Sequence, residues 1–163
     1  MPLPDLASAL ASFQQALAAG HIRLQPGVLD PAIYVFMDRP NDEVRLTYAR
    51  LTGRTVTALI QFMPTDEVEG EPCFSVGWAV PTKFQGSGRS GEAFLAALKE
   101  LRLGMSRQGM NSFWVEGVVG ADNVASQRMA EKVISAPLKA GKDKFADVPV
   151  VQYLRRIDAQ TEL

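Results

Sequence analysis

Residues 74–93, F-S-V-G-W-A-V-P-T-K-F-Q-G-S-G-R-S-G-E-A, restrict the possible folds of this chain more than any other stretch. An apolar run stops at Pro81, a glycine-rich loop follows, and an alanine- and leucine-rich segment begins. A strand must therefore pass through a tight loop into a helix. The first N–H groups of such a helix have no partner within it, and they lie at the positive end of its dipole, so the loop suits a phosphate. Gly86 and Gly88 let the main chain approach a ligand without a Cβ in the way. What carries the phosphate has to come from the rest of the chain.

Composition narrows the choice. With 163 residues the chain fits one domain that can bury a core without disulfides or metals. Hydrophobic residues at 47% and charged residues at 21% describe an ordinary soluble globular protein. A formal charge of -1 provides no whole-surface attraction for nucleic acid or an acidic membrane, so any anion site is local. The single cysteine, Cys73, excludes an internal disulfide, fits a reducing compartment and sits in an apolar run as a core residue. With one histidine and one cysteine far apart, no zinc site is expected, nor any other metal. The N-terminus lacks a basic region followed by an apolar core, and no run of 18 apolar residues occurs, so the expected location is cytoplasmic.

Leu6, Leu10, Phe13 and Leu17 recur at helical spacing, with Asp5 as N-cap and Gly20 as the stop. The polar face carries no lysine or arginine, so this helix, about 4–20, packs on the body and not on a membrane. His21 follows as a surface residue. Residues 32–37 form a strand and 38–42 a turn. Val44, Leu46 and Tyr48 alternate in a second strand, and Thr52-Gly53 turns the chain into a third, 55–63, as an antiparallel meander. Residues 66–71 read as a solvated acidic connection.

The strand 73–80 separates side chains by size. Phe74, Val76, Trp78 and Val80 face one way, and the small Cys73, Ser75, Gly77 and Ala79 face the other, where a helix or ligand can come close. Phe94, Leu98, Leu101 and Met105 mark the buried stripe of the helix after the glycine loop, and Gly109 ends it. The strand 113–119, separated from 73–80 by that helix, is its parallel neighbour. Asn123 caps a further helix with Ala125, Met129 and Val133 on one side. Residues 139–144 are a basic loop, 150–157 the last strand, and those from 158 a polar tail. The whole reads as an α/β or α+β domain with one mixed sheet.

Residues 86–91 match G-x-G-x-x-G after a strand and before a helix, which brings a dinucleotide-binding oxidoreductase into view. Residues 81–85 intervene between that strand and the first glycine, however. Glu116 lies within a strand, not at the end of one, and too few strands follow for a doubly wound sheet.

A second reading uses more of the chain. Val80, a short spacer, then Gln85-Gly86-Ser87-Gly88-Arg89-Ser90 resembles the acetyl-coenzyme A signature of the GNAT N-acetyltransferases. Asn123-Val124-Ala125-Ser126-Gln127-Arg128-Met129-Ala130-Glu131-Lys132 resembles that family's next helix, in the form found among ribosomal-protein N-terminal acetyltransferases and their relatives. The resemblance covers roughly residues 43–157. It implies a mixed, mostly antiparallel sheet with flanking helices, in which the parallel strands splay and leave backbone at Trp78, Ala79 and Val80 for the pantetheine arm. It also implies that amides of Gln85, Gly86, Ser87, Gly88, Arg89 and Ser90 hold the pyrophosphate, with charge from Arg89 or Lys83. A free N–H near Ala79 would polarise the thioester. Asn123 and Ser126 would contact the coenzyme, Ser126 near its sulfur.

The acceptor implied is a primary amine on a small molecule or a protein N-terminus, which attacks the thioester directly. An amine of ordinary pKa is mostly protonated at neutral pH and benefits from a general base. Glu116, beside the splay, is the candidate, with a plain solvent-facing carboxylate as the alternative. Three departures stand out. Ala130 occupies the aligned position of a tyrosine that many members use as general acid. Ile134-Ser135 replaces the usual glycine and aromatic. Residues 38–42 are only a turn where two helices usually cover the acceptor. Cover would then come from Leu6, Leu10, Phe13 and Leu17, or from the second subunit of a homodimer. The missing tyrosine and reduced cover also allow a non-catalytic acyl-coenzyme A sensor or scaffold.

Overall fold

A computed structural model describes residues 6–135, 139–142 and 149–163, with 139–142 described in the backbone only. Asp5, the expected N-cap, lies outside the described residues. Helix α1 spans Leu6–Ala18, and Gly20 at φ 74° ends its last turn. Two further helices are α2, Arg89–Arg107, and α3, Val124–Val133. The strands are β1 Gln25–Pro26, β2 Ile33–Asp38, β3 Arg45–Thr52, β4 Thr55–Val68, β5 Glu71–Ala79, β6 Ser112–Gly120, β7 Lys139–Lys142 and β8 Pro149–Asp158. They form one sheet in the order β1-β2-β3-β4-β5-β6-β8-β7. Every pair is antiparallel except β5–β6, which is parallel because α2 carries the chain back between them. This is the mixed, mostly antiparallel sheet expected. It is not the parallel sheet that a doubly wound dinucleotide fold requires.

The two faces of the sheet are covered differently, and the size alternation in β5 is the reason. On the large face α2 buries Phe94, Leu98, Leu101 and Met105, the stripe anticipated, against Phe62, Phe74 and Val76. Removing a side chain such as Phe94 or Leu98 from water contributes about 1.5–3 kcal/mol. Helix α3 adds Met129, Ala130 and Val133, whereas Ala125, expected on that side, is exposed. On the small face α1 lays Leu10, Phe13 and Leu17 on Ala49, Val56 and Leu59, with Phe13 edge-on to Phe36. Its first residue reaches Gly77, where a Cβ would lie 2.5 Å from Leu6 Cδ1. A side chain at Gly77 would displace the Leu6 methyl group from this position.

Three sequence expectations are corrected. Strand β4 does not end at Met63 but continues through Pro64 to Val68, where Val68 pairs Glu71. The acidic connection shrinks to Glu69 and Gly70, whose φ values of 52° and 78° make a tight reversal. Part of the basic loop, 139–142, is strand β7, paired to β8 through its backbone, and the remainder lies outside the described residues. The tail is docked. Arg102 donates to the carbonyls of Asp158 and Thr161, and Leu163 packs against the core. Charge hid these contacts in the sequence, because tertiary partners and not local pattern satisfy them.

Glu100 of α2, 8% exposed, accepts the N–H groups of Val28, Leu29 and Asp30 at 3.0, 2.6 and 2.9 Å. This carboxylate fixes the loop before β2. Among the described residues no helix is long and apolar enough to cross a membrane.

Candidate active site

Parallel pairing of β5 with β6 runs from Cys73↔Trp114 to Val76↔Gly117 and stops there, although β5 continues to Ala79 and β6 to Gly120. Past that point the two strands part. Gly117 has no side chain, and Ile134 Cδ1 and the Trp78 ring lie 2.8 and 3.5 Å from where its Cβ would be. Trp78 is held there by an edge contact with Phe94, 6.1 Å between centroids, and by Nε1 donating to Ser126 Oγ at 3.2 Å. Ile134, one of the departures noted in the sequence, packs over Gly117, where the parallel pairing ends. On its other side β5 still pairs β4 as far as Leu59↔Ala79, so one edge of residues 77–79 is satisfied and the other faces the gap.

A cavity of about 720 Å³ occupies the gap. Trp78, Ala79, Val80, Gln85, Gly86, Gly88, Arg89, Ser90, Asn123 and Ser126 all line it. Ser87 does not, and instead donates from Oγ to the Phe84 carbonyl at 2.9 Å. Gln85 ties the loop to the strand end by donating from Nε2 to the Val80 carbonyl at 3.0 Å. Gly86 and Gly88 have φ 79° and 74°, and a Cβ on either would meet no atom within 4 Å. Glycine is therefore needed for backbone shape, and the space before it stays open. Gly88 begins α2 without a side-chain cap, so the first-turn N–H groups face the cavity end where Arg89 and Ser90 lie. Lys83 Nζ and Arg89 Cζ sit 5.0 and 4.9 Å from the Phe84 ring centroid, which gathers two cations at the loop.

At the other wall Asn123 Oδ1 accepts the Ser126 N–H at 3.1 Å, so Asn123 caps α3 while lining the cavity. Ser126 Oγ accepts from Trp78, which leaves its own O–H to donate elsewhere. Ala130 is fully buried in the core and Met129 lines the cavity beside Ser126. No tyrosine lines the cavity among the described residues.

Glu116 stands beside the cavity, not in its wall. It pairs Ser75 in register and shares a face with Val118, and both of those line the cavity. Its Oε2 accepts Gln152 Nε2 at 2.6 Å. The charge of Glu116 is felt at Cys73, whose thiol is pushed up to about 11, chiefly by burial and then by Glu116 and Asp66. Cys73 is thus a core thiol. His21 is exposed. Among the described residues no group of three or more His, Cys, Asp or Glu could hold a metal ion.

Sequence reasoning did not place Phe84, Val118, Val119, Gly120 or Ala7 at the site, whereas Leu6 and Leu10 of α1, named there as possible cover, do line the cavity. The small face at Gly77 was the available signal for the helix. It could not reveal which helix would use it.

A strand pair splayed beside a glycine loop, within a sheet of this order, is the fold of the GNAT acetyltransferases, and solved structures bear this out. The ribosomal-protein-S5-alanine acetyltransferase from Vibrio fischeri aligns with a TM-score of 0.56 at 10% identity, over 76% of this chain and 66% of that one. The ribosomal L7/L12 alpha-N-protein acetyltransferase RimL aligns with a TM-score of 0.52 at 20% identity, over 71% and 72%. An IAA acetyltransferase from Bacillus cereus aligns with a TM-score of 0.53 at 16% identity, over 69% and 78%. The chain thus spans just under two thirds of the Vibrio fischeri enzyme. At these identities the likeness is one of fold. No protein-family model matches the sequence, and no curated protein matches it.

Proposed function

We propose that this protein is an acetyl-coenzyme A dependent N-acetyltransferase acting on a primary amine, carried by a small molecule or a protein N-terminus. The observation that carries this reading is the unpaired β5–β6 gap opening directly onto the glycine loop. A long ligand with a phosphate at one end and an amide-bearing arm at the other fits both features. The open space before Gly86 and Gly88 accommodates a pyrophosphate, which the amides of residues 85–90 would bind with Arg89 and Lys83 nearby. Backbone groups of Trp78 and Val80 would pair with the arm as an added strand does.

The coenzyme supplies an acyl thioester. An N–H near Ala79 would bind the oxygen on which charge grows during attack. The amine nitrogen forms a bond to the carbonyl carbon as the carbon–sulfur bond breaks, and the electron pair leaves on sulfur. The Ser126 hydroxyl, which accepts from Trp78, would donate to that thiolate. Glu116 would take the amine proton through water, since its neighbours Ser75 and Val118 line the cavity and it does not. Gln152 keeps the carboxylate in place. Leu6, Ala7 and Leu10 of α1 line the cavity, which supports cover from within the chain over cover from a second subunit.

Binding and turnover are tested separately. Acetyl-coenzyme A at 100 times its Kd should stabilise the protein by about 2.7 kcal/mol. A shift with NADH and none with acetyl-coenzyme A overturns the reading. Thiol release across an amine panel then distinguishes an enzyme from a module that only binds the coenzyme, the alternative favoured by the absence of a tyrosine from the described cavity lining. Unchanged turnover and pH profile in Glu116→Ala would remove Glu116 from the mechanism.

A further inference from the structure

The helix that precedes the sheet is fixed at one end and forms a wall of the site at the other. Gln14 clamps the β3–β4 hairpin, accepting the Val56 N–H at 2.7 Å and donating to the Arg54 carbonyl at 3.0 Å. Phe13 against Phe36 adds a second fixed point. From there α1 runs back toward β5, where Leu6 closes on Gly77 and Leu6, Ala7 and Leu10 line the cavity. Ser75 and Val118 lie on the same face of the sheet, across the gap from each other. Arg89, the one charged residue among the described lining, is at the phosphate loop and outside this wall.

We infer that α1 is the acceptor-selecting wall, and that it favours a primary amine on an apolar body with no second positive charge. The inference rests on the acetyltransferase reading above and specifies its substrate class. An apolar wall gains by covering alkyl or aryl surface, whereas a second ammonium would lose hydration there without meeting a carboxylate among the described lining residues. Small arylalkylamines and peptides with an apolar first residue share this chemistry, and the two are separated by assay. Ala7 is exposed yet lines the cavity, so it can be changed without disturbing the core.

The test measures kcat/KM with acetyl-coenzyme A for 2-phenylethylamine, a short peptide beginning with leucine, and spermidine, in wild type and Ala7→Glu. Wild type should prefer at least one apolar amine over spermidine by tenfold or more, and the better of the two identifies the source. Ala7→Glu should move that ratio at least tenfold toward spermidine while leaving the Kd for acetyl-coenzyme A unchanged. Turnover with spermidine preferred by wild type, or a ratio unmoved by Ala7→Glu, overturns the inference and leaves the acetyltransferase reading intact. Absence of turnover with every amine overturns both. Gln14→Ala supplies a second measure: KM for the amine should rise at least threefold with the coenzyme Kd constant, and an unchanged KM counts against α1 as the wall.

Discussion

Gly88→Ala, with Gly53→Ala as its matched control, separates the structural use of a glycine from its use at the site. Both positions have positive φ, 74° and 62°, and a Cβ at either meets no atom within 4 Å. Neither substitution creates a clash, so the cost to folding is conformational. A left-handed conformation costs an L-residue about 1–2 kcal/mol, partly offset by about 0.4–1 kcal/mol from the smaller unfolded ensemble. The net of roughly 1 kcal/mol corresponds to about 2–4 °C in Tm for a chain of this size. Both variants should show it by thermal unfolding.

Their binding should differ. Gly53 turns the β3–β4 hairpin away from the cavity, whereas Gly88 stands where the first N–H groups of α2 would meet a phosphate. A methyl group there displaces the phosphate from at least one charge-assisted hydrogen bond, about 1.5–3 kcal/mol, or about 10- to 100-fold in Kd. Calorimetric titration with acetyl-coenzyme A measures this directly. Equal affinity in the two variants would refute the reasoning that this loop binds the pyrophosphate.

Glu100→Gln should lower Tm by about 2–6 °C, as expected for a loss of about 1–2 kcal/mol, because an amide nitrogen would face one of the three N–H donors of residues 28–30. A Tm within 1 °C of wild type would show that the loop finds other partners. Glu71 is held well below its ordinary 4.5, to about 2, first by the Arg156 guanidinium at 2.7 Å, with Ser112 and Trp114 also donating. A depressed carboxyl stabilises the fold fully above about 4.5 and loses that contribution as pH falls toward 2. The Tm difference between wild type and Arg156→Gln should therefore shrink over that window, and a difference constant from pH 7 to 2.5 would contradict the pairing as a source of stability.

Sequence alone determined the helical stripes, the meander and the strand–loop–helix unit with its glycine loop at residues 85–90, since these depend on periodicity and on backbone allowances local to the chain. The size alternation in β5 was equally legible, and it anticipated close approach at Gly77. Only the tertiary structure decided what made that approach. Leu6 and Gly77 meet across most of the coenzyme motif's upstream sequence, so no local pattern could pair α1 with β5. The same holds where the parallel pairing ends, at Gly117, on which Trp78 from one strand and Ile134 after α3 converge. Ile134 looked like a departure from the familiar pattern and is a core residue packed over Gly117. The length of β4 and the docking of the C-terminal residues escaped the sequence because charged side chains there are satisfied by distant partners, Glu71 with Arg156 and Arg102 with the carbonyls of residues 158 and 161. Local physics wrote the glycine loop, and long-range packing set the gap beside it.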